Sequence, residues 1–169
     1  IYENYDTYDG FVVLHGTDTM AYSASMLSYM LKGLNKPVIF TGAQLPISAM
    51  RSDARENLMT SLEIATAKVN GKPIVPEVCI FFNHMLLRGN RGKKVQSVHF
   101  DAFESENYPP LAESGIVIDY NLPVIKPFEE GQLKYLNKLD NNVMILKLFP
   151  GITSRILDSS FQIEGLKGV

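Results

Sequence analysis

Phe11–Leu14 is an uninterrupted apolar run, half of it β-branched, and His15-Gly16 closes it. A run of that length and composition reads as a strand buried on both faces, as in a parallel sheet covered by helices. Thr17, Asp18 and Thr19 follow at once, and helical spacing begins at Met20. A strand that delivers hydroxyls and a carboxylate beside a helix N-terminus has the layout of an open α/β ligand site. Gly16 leaves room for a ligand against the backbone, with Thr17 and Asp18 as its nearest polar side chains. The same residue types are favoured helix caps, and capping alone accounts for them without any chemistry.

Strand and helix signals alternate along most of the chain. Met20, Ala24, Leu27 and Leu31, widened by Met26 and Met30, form a helical stripe that Gly33 and Asn35 are expected to stop. Pro37 opens the strand Val38-Ile39-Phe40, which leads into Thr41-Gly42-Ala43-Gln44. Asp53, with Glu56 three residues on, predicts a capping box. Leu58, Leu62, Ala65 and Val69 predict the inner face of that helix, ended by Asn70-Gly71. Val78–Phe82 is the next strand, so the order is βαβαβ and the expected sheet is parallel. No period holds from Asn83 to Asp101. Tyr108-Pro109-Pro110 predicts a rigid turn, Gly115–Ile118 a short strand, and Pro123, Pro127 and Glu129-Glu130-Gly131 a connection between domains. Val143–Phe149 then reads as a strand and Ser154–Phe161 as a short helix with Ile156 and Leu157 turned inward. Gly165–Val169 reads as a further strand cut off in mid-element. The chain is therefore expected to be a fragment. It begins with Ile1 rather than Met, so an N-terminal piece is expected to be missing and export cannot be read from the start.

Composition narrows the partners. Eighteen acidic and 16 basic side chains leave a net charge of −2, so no global field favours nucleic acid or an anionic membrane. No apolar segment approaches the ~20 residues of a membrane helix. Cys79 is the single cysteine, which rules out an internal disulfide and suits a reducing compartment. Its place in Val78-Cys79-Ile80-Phe81-Phe82 reads as a buried structural thiol rather than a nucleophile. The loops after the strands lack both G-x-G-x-x-G and the P-loop pattern, which disfavours a mononucleotide-binding domain. Arg88, Arg91, Lys93 and Lys94 crowd one short segment. Such a run is ordinarily a solvated loop. A nucleic-acid patch is weakly supported, because no aromatic interleaves it. The functional reading turns one lysine inward to the carboxylate of Asp18, where burial and pairing set its pKa.

His15-Gly16-Thr17-Asp18-Thr19-Met20 after an apolar strand resembles the second signature of the bacterial-type L-asparaginases, and its flanks resemble the cytoplasmic, type I branch. Thr41-Gly42-Ala43-Gln44, Arg51-Ser52-Asp53 with Glu56-Asn57-Leu58, Phe81-Phe82-Asn83, Leu87–Arg91, Phe100–Phe103 and Phe149-Pro150-Gly151 follow in the family's order. The resemblance implies an α/β fold: an N-terminal domain with a mixed, largely parallel sheet over residues 1–138, linker included, then the beginning of a smaller parallel α/β domain over 139–169.

It also implies hydrolysis of L-asparagine to L-aspartate and ammonia through a threonine-dependent acyl-enzyme, with no metal and no cofactor. Thr17, Asp18 and Lys94 fall on the family's Thr–Lys–Asp triad, with Lys93 as the competing lysine should a gap shift the match. Gly16, Thr17 and Asp18 fall on the substrate site, Asp18 holding the α-ammonium, and Ala43 on the residue that offers its backbone carbonyl to the carboxamide. A threonine hydroxyl is a weak nucleophile unless a base takes its proton, and a lysine serves as that base only with a depressed pKa. The primary nucleophile of the family lies in a Thr-Gly-Gly-Thr motif that is absent here, as are a serine-containing substrate clamp and most of the second domain. This chain by itself is thus not expected to turn over substrate. The resemblance further implies a cytoplasmic homo-oligomer, a dimer or tetramer. The alternatives are an asparaginase-like subunit of a tRNA-dependent amidotransferase and a non-catalytic amino-acid-binding or dimer-forming module.

Overall fold

A computed structural model describes all 169 residues, in two compact units, Ile1–Leu136 and Asn137–Val169. In the first unit β1 (Phe11–Leu14), α1 (Thr17–Met30), β2 (Val38–Thr41), α2 (Ala54–Thr66) and β3 (Val78–Phe82) give the expected βαβαβ order. Then come β4 (Met85–Arg88), β5 (Lys93–Lys94), β6 (Phe103–Glu104), β7 (Ala112–Ser114) and β8 (Ile118–Tyr120). Six of these strands form one sheet in the order β1-β2-β3-β4-β7-β8. The β1–β2 and β2–β3 ladders are parallel, and the β3–β4, β4–β7 and β7–β8 ladders antiparallel. The sheet is mixed, with more antiparallel pairing than expected, because a hairpin follows β3 in the stretch where no period was legible. Its turn is Asn83-His84, both at positive φ (42° and 63°). That is the two-residue geometry of a hairpin, but with His where Gly is the usual signal.

Every residue of β2 and β3 is buried, and their alternate side chains sort onto two faces. Val38, Phe40, Val78, Ile80 and Phe82 meet Met20 and Ala24 of α1. Ile39, Cys79 and Phe81 meet Ile64 and Ala65 of α2 on the other face. Period-2 strands between two helices make a three-layer core, and each fully buried Val, Ile or Phe contributes about 1.5–3 kcal/mol. Cys79 is fully buried and free, and burial pushes its thiol pKa well up, which leaves it inert.

Local expectations shift in several places. β1 is an edge strand with one neighbour, so Phe11–Val13 are half-buried and Leu14 is exposed. α1 ends at Met30, and Leu31–Lys32 pairs with Lys134–Tyr135 before Gly33. α2 buries Asn57, Ser61, Ile64 and Ala65, while Leu62 and Val69 face out. Its inner face is rotated because two polar side chains on it are hydrogen-bonded inside: Ser61 Oγ donates to Asn57 O at 2.6 Å, and Asn57 bonds the loops described below. Asn70-Gly71 (φ 52° and 77°) does not cap α2 but turns a small hairpin between Lys68–Val69 and Lys72–Pro73. Gly115–Val117 is a turn rather than a strand, and pairing starts at Ile118.

In Asn137–Val169, Ser154–Phe161 is a helix (α3) as expected, but Val143–Phe149 and Gly165–Val169 are not strands. They share a single parallel bridge, Val143 to Gly168. No residue of this unit is buried, and Ile156 is exposed. Thirty-odd residues do not supply the facing layer that an apolar strand needs for burial. No helix is long and apolar enough to cross a membrane.

One buried ion pair ties the sheet to the connecting segment after β8. Glu77, just before β3, takes Arg88 Nε at 2.6 Å and Arg88 Nη2 at 2.9 Å, plus the Lys126 backbone N–H at 2.6 Å. The two side chains are 3% and 15% exposed. Arg88→Met leaves that carboxylate buried and unpaired. The variant of the intact protein is expected to lose about 3–5 kcal/mol in urea denaturation, whereas Glu77→Leu with Arg88→Leu loses far less.

Candidate active site

The parallel strands put their C-terminal ends side by side, so the segments after β1 and β2 emerge together at one rim of the sheet. After β1, Gly16 is the extended residue before α1, and Thr17 and Asp18 occupy the first turn. Neither side chain caps the helix. Both point instead to Lys94. Lys94 Nζ donates to Thr17 Oγ1 at 2.8 Å and to Asp18 Oδ1 at 2.7 Å. The Lys94 side chain is 14% exposed, while that of Asp18 is 91% exposed. Thus the ammonium is sheltered and the carboxylate faces open space, with Oδ2 taking no hydrogen bond from the chain. Lys93, its neighbour, turns out to Glu106 at 2.9 Å. In the cationic segment Arg88, Lys93 and Lys94 each hold a specific carboxylate, while Arg91 and Lys93 are exposed.

The Lys94 ammonium beside Asp18 holds its carboxyl below the ordinary carboxylate range, through the hydrogen bond first and the opposite charge second. The contact is complete above the ordinary carboxylate pKa and is lost as pH falls through the lowered folded-state value. At so exposed a carboxylate its contribution to stability is small.

The loop after β2 forms the second wall. Thr17 Oγ1 donates to Gln44 Oε1 at 3.3 Å, and Gln44 Nε2 donates to the His99 carbonyl at 3.0 Å. The adjacent Ala43 carbonyl takes no hydrogen bond from the chain. Asp53 stands at the N-cap of α2, but its carboxylate accepts from the backbone N–H groups of Gln44 and Leu45, at 2.9 and 3.1 Å, and from Asn57 Nδ2 at 3.2 Å, rather than from the backbone of the helix. Asn57 Nδ2 donates to Gly42 O at 3.0 Å and its Oδ1 accepts from Asn83 N at 3.1 Å. Gln44, Asp53 and Asn57 were not among the expected site residues. The one signal for them was that each lies in a string quoted for the resemblance, Thr41–Gln44 or Arg51–Asp53 with Glu56–Leu58. Two glycines differ in what they permit. A Cβ at Gly42 meets the His15 carbonyl at 2.3 Å, whereas one at Gly16 meets nothing within 4 Å. Gly42 is therefore required by close backbone approach, and Gly16 borders free space. No group of His, Cys, Asp and Glu side chains is arranged to hold a metal.

Comparison with known proteins bears on this arrangement. Residues 1–126 match the family described as asparaginase, N-terminal. The chain is 46% identical over 154 residues to L-asparaginase 1 of Escherichia coli, covering 91% of this chain and 44% of that protein. It is 45% identical over 170 residues to the 60 kDa lysophospholipase of Mus musculus, covering all of this chain and 29% of that protein. The crystal structure of L-asparaginase I from Vibrio cholerae superposes with a TM-score of 0.84 at 42% identity, covering 96% of this chain and 48% of that one. The chain thus spans less than half the length of these relatives.

Two measurements check this geometry. A carboxyl-carbon NMR titration is expected to place Asp18 below the ordinary carboxylate range, and Lys94→Met to return it there. Gly42→Ala forces a backbone shift against His15 and is expected to cost about 1–3 kcal/mol in denaturant unfolding.

Proposed function

The chain belongs to the asparaginase family, and from that premise we propose that the intact protein hydrolyses L-asparagine to L-aspartate and ammonia. The observation that carries the reading is the single ammonium, Lys94 Nζ, within hydrogen-bond reach of both the Thr17 hydroxyl and the Asp18 carboxylate. Thr17, Lys94 and Asp18 form the proton-handling group. A primary threonine outside these residues attacks the side-chain carbonyl carbon and gives up its hydroxyl proton, which the group passes to the leaving nitrogen as the C–N bond breaks and ammonia departs. Water then attacks the resulting ester, giving up a proton, and the threonine hydroxyl is restored as aspartate leaves. Thr17 accepts from Lys94 and donates to Gln44. To act as base, Lys94 gives up a proton and Thr17 turns its O–H to Nζ. Asp18 Oδ2, free and exposed, receives the substrate α-ammonium, and the unpaired Ala43 carbonyl receives the carboxamide N–H. Gly16 supplies the clearance beside them.

The reading includes a homo-oligomer working in a reducing, cytoplasmic setting, which a single buried thiol suits. Residues 1–138 would serve as the site-bearing domain and 139–169 as the beginning of a second.

The test is ammonia release from L-asparagine by the intact protein. Thr17→Val and Lys94→Met are each expected to lower kcat by about 10²–10⁴-fold with thermal unfolding unchanged. Near-normal turnover in Thr17→Val removes Thr17 from the mechanism. Hydrolysis of a lysophosphatidylcholine ester with asparagine left untouched overturns the amidase reading.

A further inference from the structure

The opposite rim of the sheet holds a cavity of about 520 Å³. It lies where β3 begins, at Pro76–Val78, and under the last turn of α1, at Ser28 and Tyr29. Twelve residues of α1, about 18 Å, separate Tyr29 from Thr17, so this space is distinct from the Thr17 site. Its volume is that of a small-molecule pocket.

Its charge is unbalanced. Arg88 is neutralised by Glu77. Lys32, Arg91 and Lys126 also line it, and none has a carboxylate within ion-pair distance. Glu129 is the one remaining acid, leaving two positive charges in excess. A second observation is independent of charge. Asn90 donates its amide N–H to Tyr29 Oη at 3.3 Å, but its Oδ1 is buried and accepts nothing. Buried side-chain acceptors without a partner are rare, and this one belongs to a residue of the cavity wall. The site therefore asks for a group with two negative charges and at least one hydrogen-bond donor.

We propose that this cavity binds a phosphate monoester. Such a group carries nearly two negative charges at neutral pH and three acceptor oxygens, suited to Arg and Lys heads. A hydroxyl on the ester's carbon skeleton, or a protonated phosphate oxygen, donates to Asn90 Oδ1 when the amide turns into the cavity. Leu31, Leu34 and Val78 give the skeleton apolar wall. An ionised dicarboxylate matches the charge but has only acceptor oxygens, and so leaves Asn90 Oδ1 unpaired.

The test is calorimetric titration of the intact protein with glycerol 3-phosphate, with inorganic phosphate and with succinate. Glycerol 3-phosphate is expected to bind saturably, and Lys126→Gln and Asn90→Asp each to weaken it about tenfold or more. Lys126 sits on an exposed segment, so its variant keeps the test decisive should Asn90→Asp disturb folding. Equal affinity for inorganic phosphate, weakened by the same variants, supports the site with the free ion as its occupant. Thr17→Val is expected to leave the titration unchanged, which separates this result from that of the amidase assay. Absence of saturable binding by both phosphates, binding unaltered in the variants, or succinate bound as tightly as the ester overturns the proposal.

Discussion

A lysine ammonium in a sheltered position needs an anion, and Lys94 finds Asp18 from 76 residues away. What lets it do so is a two-residue strand. Lys93 and Lys94 pair with Glu104 and Phe103, and successive side chains on a strand point to opposite faces. Lys93 therefore turns out to Glu106, and Lys94 turns in over the first turn of α1. A slip of one residue in this ladder would exchange the two and leave Thr17 without its partner. The segment's local pairing thus decides which of two chemically identical side chains meets the hydroxyl.

The opposite wall depends on a carboxylate diverted from its local use. Asp53 stands where an N-cap residue stands, but spends its oxygens on the N–H groups of Gln44 and Leu45. Ser52 Oγ accepts the Ala54 N–H in its place. Asn57, one turn on, joins the Gly42 carbonyl to the Asn83 N–H, so α2, the loop after β2 and the β3–β4 turn are held together by one buried amide. Buried polar groups that are fully bonded hold a loop in one conformation. That fixes Gln44 against Thr17 and leaves the Ala43 carbonyl free. The rotated inner face of α2 is the other consequence: the helix turns Asn57 and Ser61 inward and leaves Leu62 outside.

The two rims of the sheet carry opposite kinds of polar order. At the C-terminal rim, cation and carboxylate are paired and one carboxylate oxygen faces open space. At the rim where β3 begins, the Glu77–Arg88 pair is closed, and three further cations line a cavity together with Asn90, whose amide oxygen is buried and unpaired. Arg88, Arg91, Lys93 and Lys94 looked alike as a run of charge. In the fold Arg88, Lys93 and Lys94 hold different carboxylates, those of Glu77, Glu106 and Asp18, while Arg91 shares the Tyr108 ring with Arg88.

Patterning alone was enough for the central layers. Phe11–Leu14, Val38–Phe40 and Val78–Phe82 read as strands because an unbroken apolar run between turn residues has few other uses. The stripe from Met20 read as a helix because its spacing is that of one face. The Thr17-Asp18 pair at a strand end was legible in the same way, whereas the cationic run reads from pattern as a solvated loop as readily as one with an inward lysine. What pattern could not carry was everything set by partners distant in the chain. The β3–β4 hairpin turns on Asn83-His84, which lacks the usual glycine. The inner face of α2 follows bonds to Gly42 and Asn83. Val143–Phe149 has the composition of a strand but no layer here to lie against. The choice of Lys94 over Lys93 and the recruitment of Gln44, Asp53 and Asn57 belong to this second group. Period and composition describe how a segment relates to a generic interior, whereas these contacts depend on which particular atoms the fold brings within 3 Å.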